Sequence, residues 1–295
     1  MSPFAAPPHT GYTCLVNKAT SDSAPPFEVG WLAQRPFAWF SQAFRRQIAQ
    51  LTSWPTPQDY NEIVRMTAEA LGSDGDRPHS PRFLKYAREP VRAAGGYEAY
   101  VAQERAVPTR PFHFHDFFNM AVWAHFPRWR WALNRLHTSA DPGEVDPRNG
   151  RTPLQNHAAH FDETGMLVVS QDADVLTNLA ELRFKRVFWE RRCELQASTR
   201  FYLVGHGMLE AMRAPVVGLM AKAVFVRASS LPSSTSAGLS DVDRLLADQV
   251  CRWPRERGVL HPVPLLGVPG FHAEQTSQFY DNPRYFRAQR SGSRA

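Results

Sequence analysis

The sequence predicts an α+β fold, mainly helical, with a β-hairpin and a small, mostly antiparallel sheet in a single domain. Three observations lead there. Apolar residues recur at three- and four-residue steps over most of the long segments, which is the period of an amphipathic helix. Extended runs are fewer than helical ones. They come as hairpins and do not alternate with helices as a doubly wound sheet requires.

The elements follow in chain order. Residues 1–28 hold five prolines and read as a disordered leader, without the basic start and apolar stretch of a secretory signal. From Trp31 to Leu51, the residues Phe37, Phe40, Phe44, Ile48 and Leu51 share a helical face, with Arg45 and Arg46 toward solvent. Residues 57–71 form a second helix, capped near Gln58 or Asp59 and closed by Gly72. Loop composition marks 73–81, and a short helix through 96–100 leads into a turn at 107–111. Residues 115–137 are the most apolar helical stretch, interrupted by Pro127, and a polar loop occupies 141–153. The segment 156–170 reads as a hairpin about the turn Asp162-Glu163-Thr164-Gly165. A helix at 172–195 with a break near 183, a strand at 200–207 running into a helix, and a strand at 221–228 come next. The serine-rich loop 229–240 precedes a helix at 241–253. Prolines at 261–271 favour extended coil over a central strand. The domain therefore spans 29–287, and 288–295 form a disordered basic tail.

Composition narrows the function classes. The chain has 295 residues, 34 basic and 28 acidic side chains and a net charge of +6. Eight Trp and 19 Phe supply enough apolar surface to exclude a wholly disordered chain. No run of 18 apolar residues argues for a membrane span. Cys14, Cys193 and Cys251 lack paired zinc-type spacing and read as reduced cytosolic thiols, some of them in the core. The expected compartment is the cytoplasm. Phosphate-binding glycine loops are absent, so no nucleotide cofactor is expected.

The polar residues of 115–137 carry the candidate chemistry. His115 and Asn119 are four apart and share a helical face, and Asn134 and His137 are three apart on another. A helix break at Pro127 that folds the second segment back brings Asn119 and Asn134 to one height and His115 and His137 to the open end. A single kinked rod would separate the two asparagines by about 22 Å. Buried amides need partners, so these positions mark either a functional site or a structural polar network.

The run HDFFNMAVWAHFPRWRWALNRLH resembles the signature of a bacterial family known as domain of unknown function 3025. Further stretches are similar in order: YEAYVAQERAVPTRP (97–111), FDETGMLV (161–168), FWERR (188–192), GHGMLE (205–210), PLLGVPGF (264–271) and FYDNPRYFR (279–287). The resemblance covers about residues 31–287 and implies one soluble unit with no established activity. Its pattern supports His115, Asp116, Asn119, Asn134, His137, Asp162, Glu163, His206 and Lys222. It does not support His113, His125, His157, His160, His261 or His272. Asp281-Asn282 stand where two acids are expected, and Gln275 stands where Asn is expected.

Other signals are weaker. Gly205-His206-Gly207 lies at a strand-to-helix junction but is no nucleophile elbow, because no Gly-x-Ser-x-Gly occurs. Lys222 is a lysine in an apolar strand of an arginine-rich chain, and lysine can lose its proton on burial where arginine cannot. RFKRVFWERR (183–192) and FPRWRWALNR (126–135) interleave arginine with aromatics, a pattern that suits nucleic acid. His137, Asn156 and His160 have HNH-nuclease residue types with too short a final gap.

The reading that results is an enzyme, hydrolase or proton-transfer lyase or isomerase, acting on a small-molecule substrate. His115 is its acid–base group, Asp116 the orienting partner, and Asn119 and Asn134 position substrate or water. His137, His206 and Lys222 complete the set. Divalent-metal ligation by His115, His137, Asp162 and Glu163 is the variant of that reading. A non-enzymatic nucleic-acid- or protein-binding domain is the alternative.

Overall fold

A computed structural model describes residues 26–72, 77–139, 145–148, 150–233, 236–253 and 258–286. The leader up to residue 25 and the tail from 287 lie outside the described residues. Phe27 is buried, and its ring packs against Trp54, Phe114 and Phe117.

The fold is α+β and mainly helical, as expected, and local sequence explains most helix ends. The single helix expected over 31–51 is instead two 3-10 turns, Gly30–Ala33 and Arg35–Phe37, followed by α1 (Gln42–Ala49). Pro36 sits in the second turn, and Ser41 starts α1 by accepting a hydrogen bond from the Phe44 N–H. Helix α2 (Pro57–Leu71) is capped by Thr56, which forms a capping box with Asp59, and stops at Gly72, whose φ of 81° suits glycine. Strand β1 (Arg82–Lys85), α3 (Arg88–Ala93) and α4 (Tyr97–Glu104) follow. Residues 106–109 are not a turn but strand β2 (Ala106–Thr109), paired in parallel with β1.

The stretch 115–137 is two helices, α5 (Phe114–His125) and α6 (Pro127–Thr138), separated at Phe126 (φ −127°, ψ 57°). Proline at the first position of α6 has no N–H to lose and cannot continue α5. Helix α5 is buried from Asp116 to His125, with α2 and α10 (His206–Ala211) packed on it.

The expected hairpin at 156–170 is overturned. Residues 153–164 form α7 (Pro153–Thr164), and β3 (Gly165–Ser170) begins only after it. Thr152 and Gln155 make a capping box, Pro153 occupies the first position, and Leu154, Ala158 and Phe161 give the helical period. Asp162 and Glu163 thus sit on the last turn of a helix.

Beyond it come α8 (Ala173–Ala180), a π-helical turn at Arg186–Glu190, α9 (Arg192–Ser198) and β4 (Thr199–Leu203). Helix α10, β5 (Met220–Arg227), α11 (Ser236–Arg252) and β6 (His261–Pro264) complete the chain.

The larger sheet has the order β4-β3-β5-β6; two of its three pairings are antiparallel, as expected, and one parallel pair makes it mixed. β3 runs antiparallel to β4 but parallel to β5, and β5 runs antiparallel to β6. A parallel pair needs a long crossover, and α8 to α10 with β4 provide it. All six β3 residues are buried at the centre. The proline-rich 261–264 segment does pair, but only at the sheet edge, where a missing N–H is tolerated.

Candidate active site

Three element ends meet at one cavity. The first turn of α5 brings His115 and Asp116, the last turn of α7 brings Asp162 and Glu163, and the start of α10 brings His206. Two turns are fastened together to achieve this. The N–H groups of Val204 and Gly205 both donate to the Gly165 carbonyl, at 3.0 and 2.8 Å. A Cβ on Gly205 would lie 2.3 Å from the Gly165 nitrogen, and one on Gly207 would lie 2.3 Å from Glu163 Oε2. The glycines either side of His206 are therefore dictated by the close approach of α7.

The cavity measures about 440 Å³ and is lined by His115, Asp116, Asn119, His137, Asp162, Glu163 and His206 among others. The His115 and His206 rings meet edge to face with centroids 4.4 Å apart. Glu163 Oε1 lies 3.3 Å from His115 Nε2 and 3.7 Å from His206 Nε2. On the outer sides, His115 Nδ1 is 3.4 Å from Asp116 Oδ1, and His206 Nδ1 is 3.5 Å from Asp162 Oδ1.

Each outer carboxylate is anchored by an arginine. Asp116 accepts from the Arg110 backbone N–H at 2.7 Å and from its guanidinium at 3.0 and 2.5 Å. Asp162 pairs with Arg130, which is almost wholly buried, and whose other amino group donates to Asn119 Oδ1 at 3.0 Å. The Asn119 amide in turn donates to the Tyr97 hydroxyl at 2.9 Å.

Burial pushes the His115 imidazole down, but its hydrogen bonds to Asp116 and Glu163 outweigh this and hold it up at about 9. Burial raises Glu163, yet the His115 ring and the nearby His206 bring it down to about 2. Burial dominates at His206, with Glu163 opposing, and lowers it to about 3.

Several expectations need correction. Asn119 and Asn134 do not face a common substrate position: Asn134 donates to the Glu98 carbonyl and to its carboxylate at 2.9 and 2.7 Å, and it does not line the cavity. His137 lines the cavity, yet no potential metal-ligand group among the described residues includes it or Asp162. The groups found are His115–Glu163–His206 and His113–His115–Asp116. Helix α6 carries His137 beside Glu98 and Arg151, whereas His115 turns to His206. Lys222 does not line the cavity either. Strand alternation sends Ala221 and Ala223 into the core, and Lys222 stands on the other face of β5, paired across from Gly165 and Pro262.

Sequence reasoning missed Tyr97, Glu98, Arg110, Arg130 and Arg151, all of which line the cavity. The 97–111 stretch contained three of them, and Arg130 was read as part of a surface pattern. In the structure Trp129, Arg130 and Trp131 are buried, and Arg128 packs on Asp243. In the other basic run, Lys185 pairs with Asp281 and Arg191 with Asp172. His125 is a core residue: its Nδ1–H donates to the Ala121 carbonyl at 2.7 Å and its Nε2 accepts from the Ser41 N–H at 3.0 Å. Cys193 and Cys251 are exposed free thiols, not core residues. No helix among the described residues is long and apolar enough to cross a membrane.

The model of a protein family described as "Protein of unknown function (DUF3025)" matches residues 82–290. The chain belongs to the DUF3025 family. The match takes in every cavity-lining residue named above, while α1 and α2 precede it. No curated protein and no solved structure matches this DUF3025 chain.

Proposed function

We propose that this protein is an enzyme that carries out hydrolysis or proton transfer on a small polar molecule bound in the 440 Å³ cavity. The observation that carries the reading is the convergence of His115, His206 and Glu163 at one cavity wall, with each ring backed by a carboxylate. A structural network would bury such groups away from solvent, whereas Glu163 is half-exposed and both rings border open volume. Asp116 orients the His115 ring through a hydrogen bond, and Asp162 lies 3.5 Å from the His206 ring. Arginines and carboxylates both line the walls, Arg110 paired with Asp116 and Arg130 with Asp162, which suits a polar substrate.

Untargeted mass spectrometry of a metabolite extract incubated with the purified chain tests this. A metabolite converted by the wild type and not by Glu163→Gln supports the reading. Gain of one water identifies hydrolysis, and unchanged mass identifies isomerisation. Identical extracts after incubation with wild type and variant would overturn the enzyme assignment.

A further inference from the structure

We propose that His115, His206 and Glu163 are the ligands of a divalent transition-metal ion whose open coordination positions face the cavity. The proposal builds on the reading of this cavity as a reaction site, and its test is kept apart from turnover so that each can fail alone.

Donor spacing is the first argument. Ligand atoms of the three residues all lie within 4.8 Å of one another, and Glu163 Oε1 is 3.3 and 3.7 Å from the two Nε2 atoms. Tetrahedral zinc with bonds of about 2.0–2.1 Å separates its ligand atoms by about 3.3 Å. The two distances from the Glu163 oxygen are therefore near those of a bound zinc. Two histidines and one carboxylate leave room for water or substrate, as catalytic zinc and non-haem iron centres do.

The outer side of the cluster supplies the second argument. Metal-binding histidines hold a carboxylate on their other ring nitrogen, which fixes the tautomer and aims the lone pair. Here His115 has that arrangement, with Nδ1 hydrogen-bonded to Asp116, and the His206 Nδ1 lies 3.5 Å from Asp162 without a hydrogen bond. The Glu163 Oε1 atom lies against the Nε2 atoms of both rings, away from their Nδ1 sides. Three converging donors repel unless something positive lies between them.

Gly207 adds a third. Its missing Cβ leaves the space that the Glu163 carboxylate occupies. The rival group, His113–His115–Asp116, is a poorer cation site because Asp116 already receives both the backbone N–H and the guanidinium of Arg110. A bound ion would polarise an oxygen of water or substrate held in the cavity, with the two rings serving as ligands instead of proton carriers.

The test uses the full chain, stripped with chelator and titrated with Zn²⁺ by calorimetry and with Co²⁺ by visible absorption. One ion per chain and Co²⁺ bands of a four- or five-coordinate site are expected. Glu163→Gln, at a half-exposed position that tolerates the change, should abolish the bands and weaken Zn²⁺ by more than about 100-fold, beyond the loss typical of an outer partner. Asp116→Asn should weaken it by about 10–100-fold and shift the bands. His113→Asn should leave both unchanged. Equal binding by wild type and Glu163→Gln, or loss in His113→Asn alone, overturns the proposal. Metal binding without turnover would remove the enzyme reading and leave the metal centre. Turnover that survives chelation, with no Co²⁺ bands, would do the reverse.

Discussion

Arg130 and Asp162 form an ion pair inside the protein, with side chains 3% and 14% exposed. The same guanidinium holds Asn119, which holds Tyr97, so one buried cation ties α4, α5, α6 and α7 together. Trp123 and Trp129 flank it at 5.1 and 5.9 Å, so desolvation is severe and the carboxylate is what compensates it. Truncating one partner leaves an uncompensated buried charge. Asp162→Ala is expected to lower stability by about 3–5 kcal/mol in urea unfolding. A loss below about 1 kcal/mol would mean that water reaches Arg130.

The two glycines around His206 should behave differently. At Gly205 the added methyl meets backbone atoms of Thr164 and Gly165, which cannot step aside. Gly205→Ala is expected to cost about 3 kcal/mol or more. At Gly207 the methyl meets the end of the Glu163 side chain. Alanine suits a helix better than glycine, so the thermal midpoint of Gly207→Ala should change little. Its metal affinity or turnover should fall on the order of 100-fold, because the carboxylate is displaced. Equal losses of stability in both variants would contradict this steric account.

His125 makes the fold sensitive to acid. Burial holds this ring down at about 3, whereas an unfolded histidine titrates near 6.5. The folded pKa is depressed, so the unfolded chain binds the extra proton between these values. The stability is present above about pH 6.5 and is lost as pH falls toward 3, by up to about 1.4 kcal/mol per pH unit. Asp243 acts in the opposite sense, since burial raises it to about 6 and its contribution is lost as pH rises through that value. The informative measurement is therefore the difference between wild type and His125→Gln in urea midpoints from pH 4 to 6.5. Parallel curves would show that His125 does not carry the slope.

Asp243 also caps a helix from a distance. Its carboxylate accepts from the Arg128 and Trp129 N–H groups at 3.1 and 3.0 Å, at the start of α6, where Phe126 offers no side-chain cap. Asp243→Ala should cost about 1–2 kcal/mol by chemical denaturation, and Asp243→Asn, which still accepts a hydrogen bond, should recover most of it. No recovery in the Asn variant would show that charge, not hydrogen bonding, matters there.

The sequence by itself determined the class of fold, the helix at 57–71, the break at Pro127 and seven of the fifteen residues that line the cavity. These follow from local rules: periodicity, the missing N–H of proline, capping side chains and the conformational freedom of glycine. It also marked His115, Asp116, Glu163 and His206 as belonging to one family pattern. Only the tertiary structure decided which of them meet. His115 turns to His206, 91 positions away, and not to His137 at the end of the next helix, because the close approach of Gly205 and Gly207 fixes α10 against α7. Arg130 reads in sequence as an arginine between tryptophans and becomes the buried cation of the site, because Asp162 and Asn119 from other helices compensate it. The hairpin misreading at 156–170 has the same origin. A helix of twelve residues and a buried strand share a short apolar vocabulary, and the difference lies in the Thr152–Gln155 cap and in a parallel partner about fifty residues later. Local chemistry names the groups, but charge compensation across distant segments decides their partners.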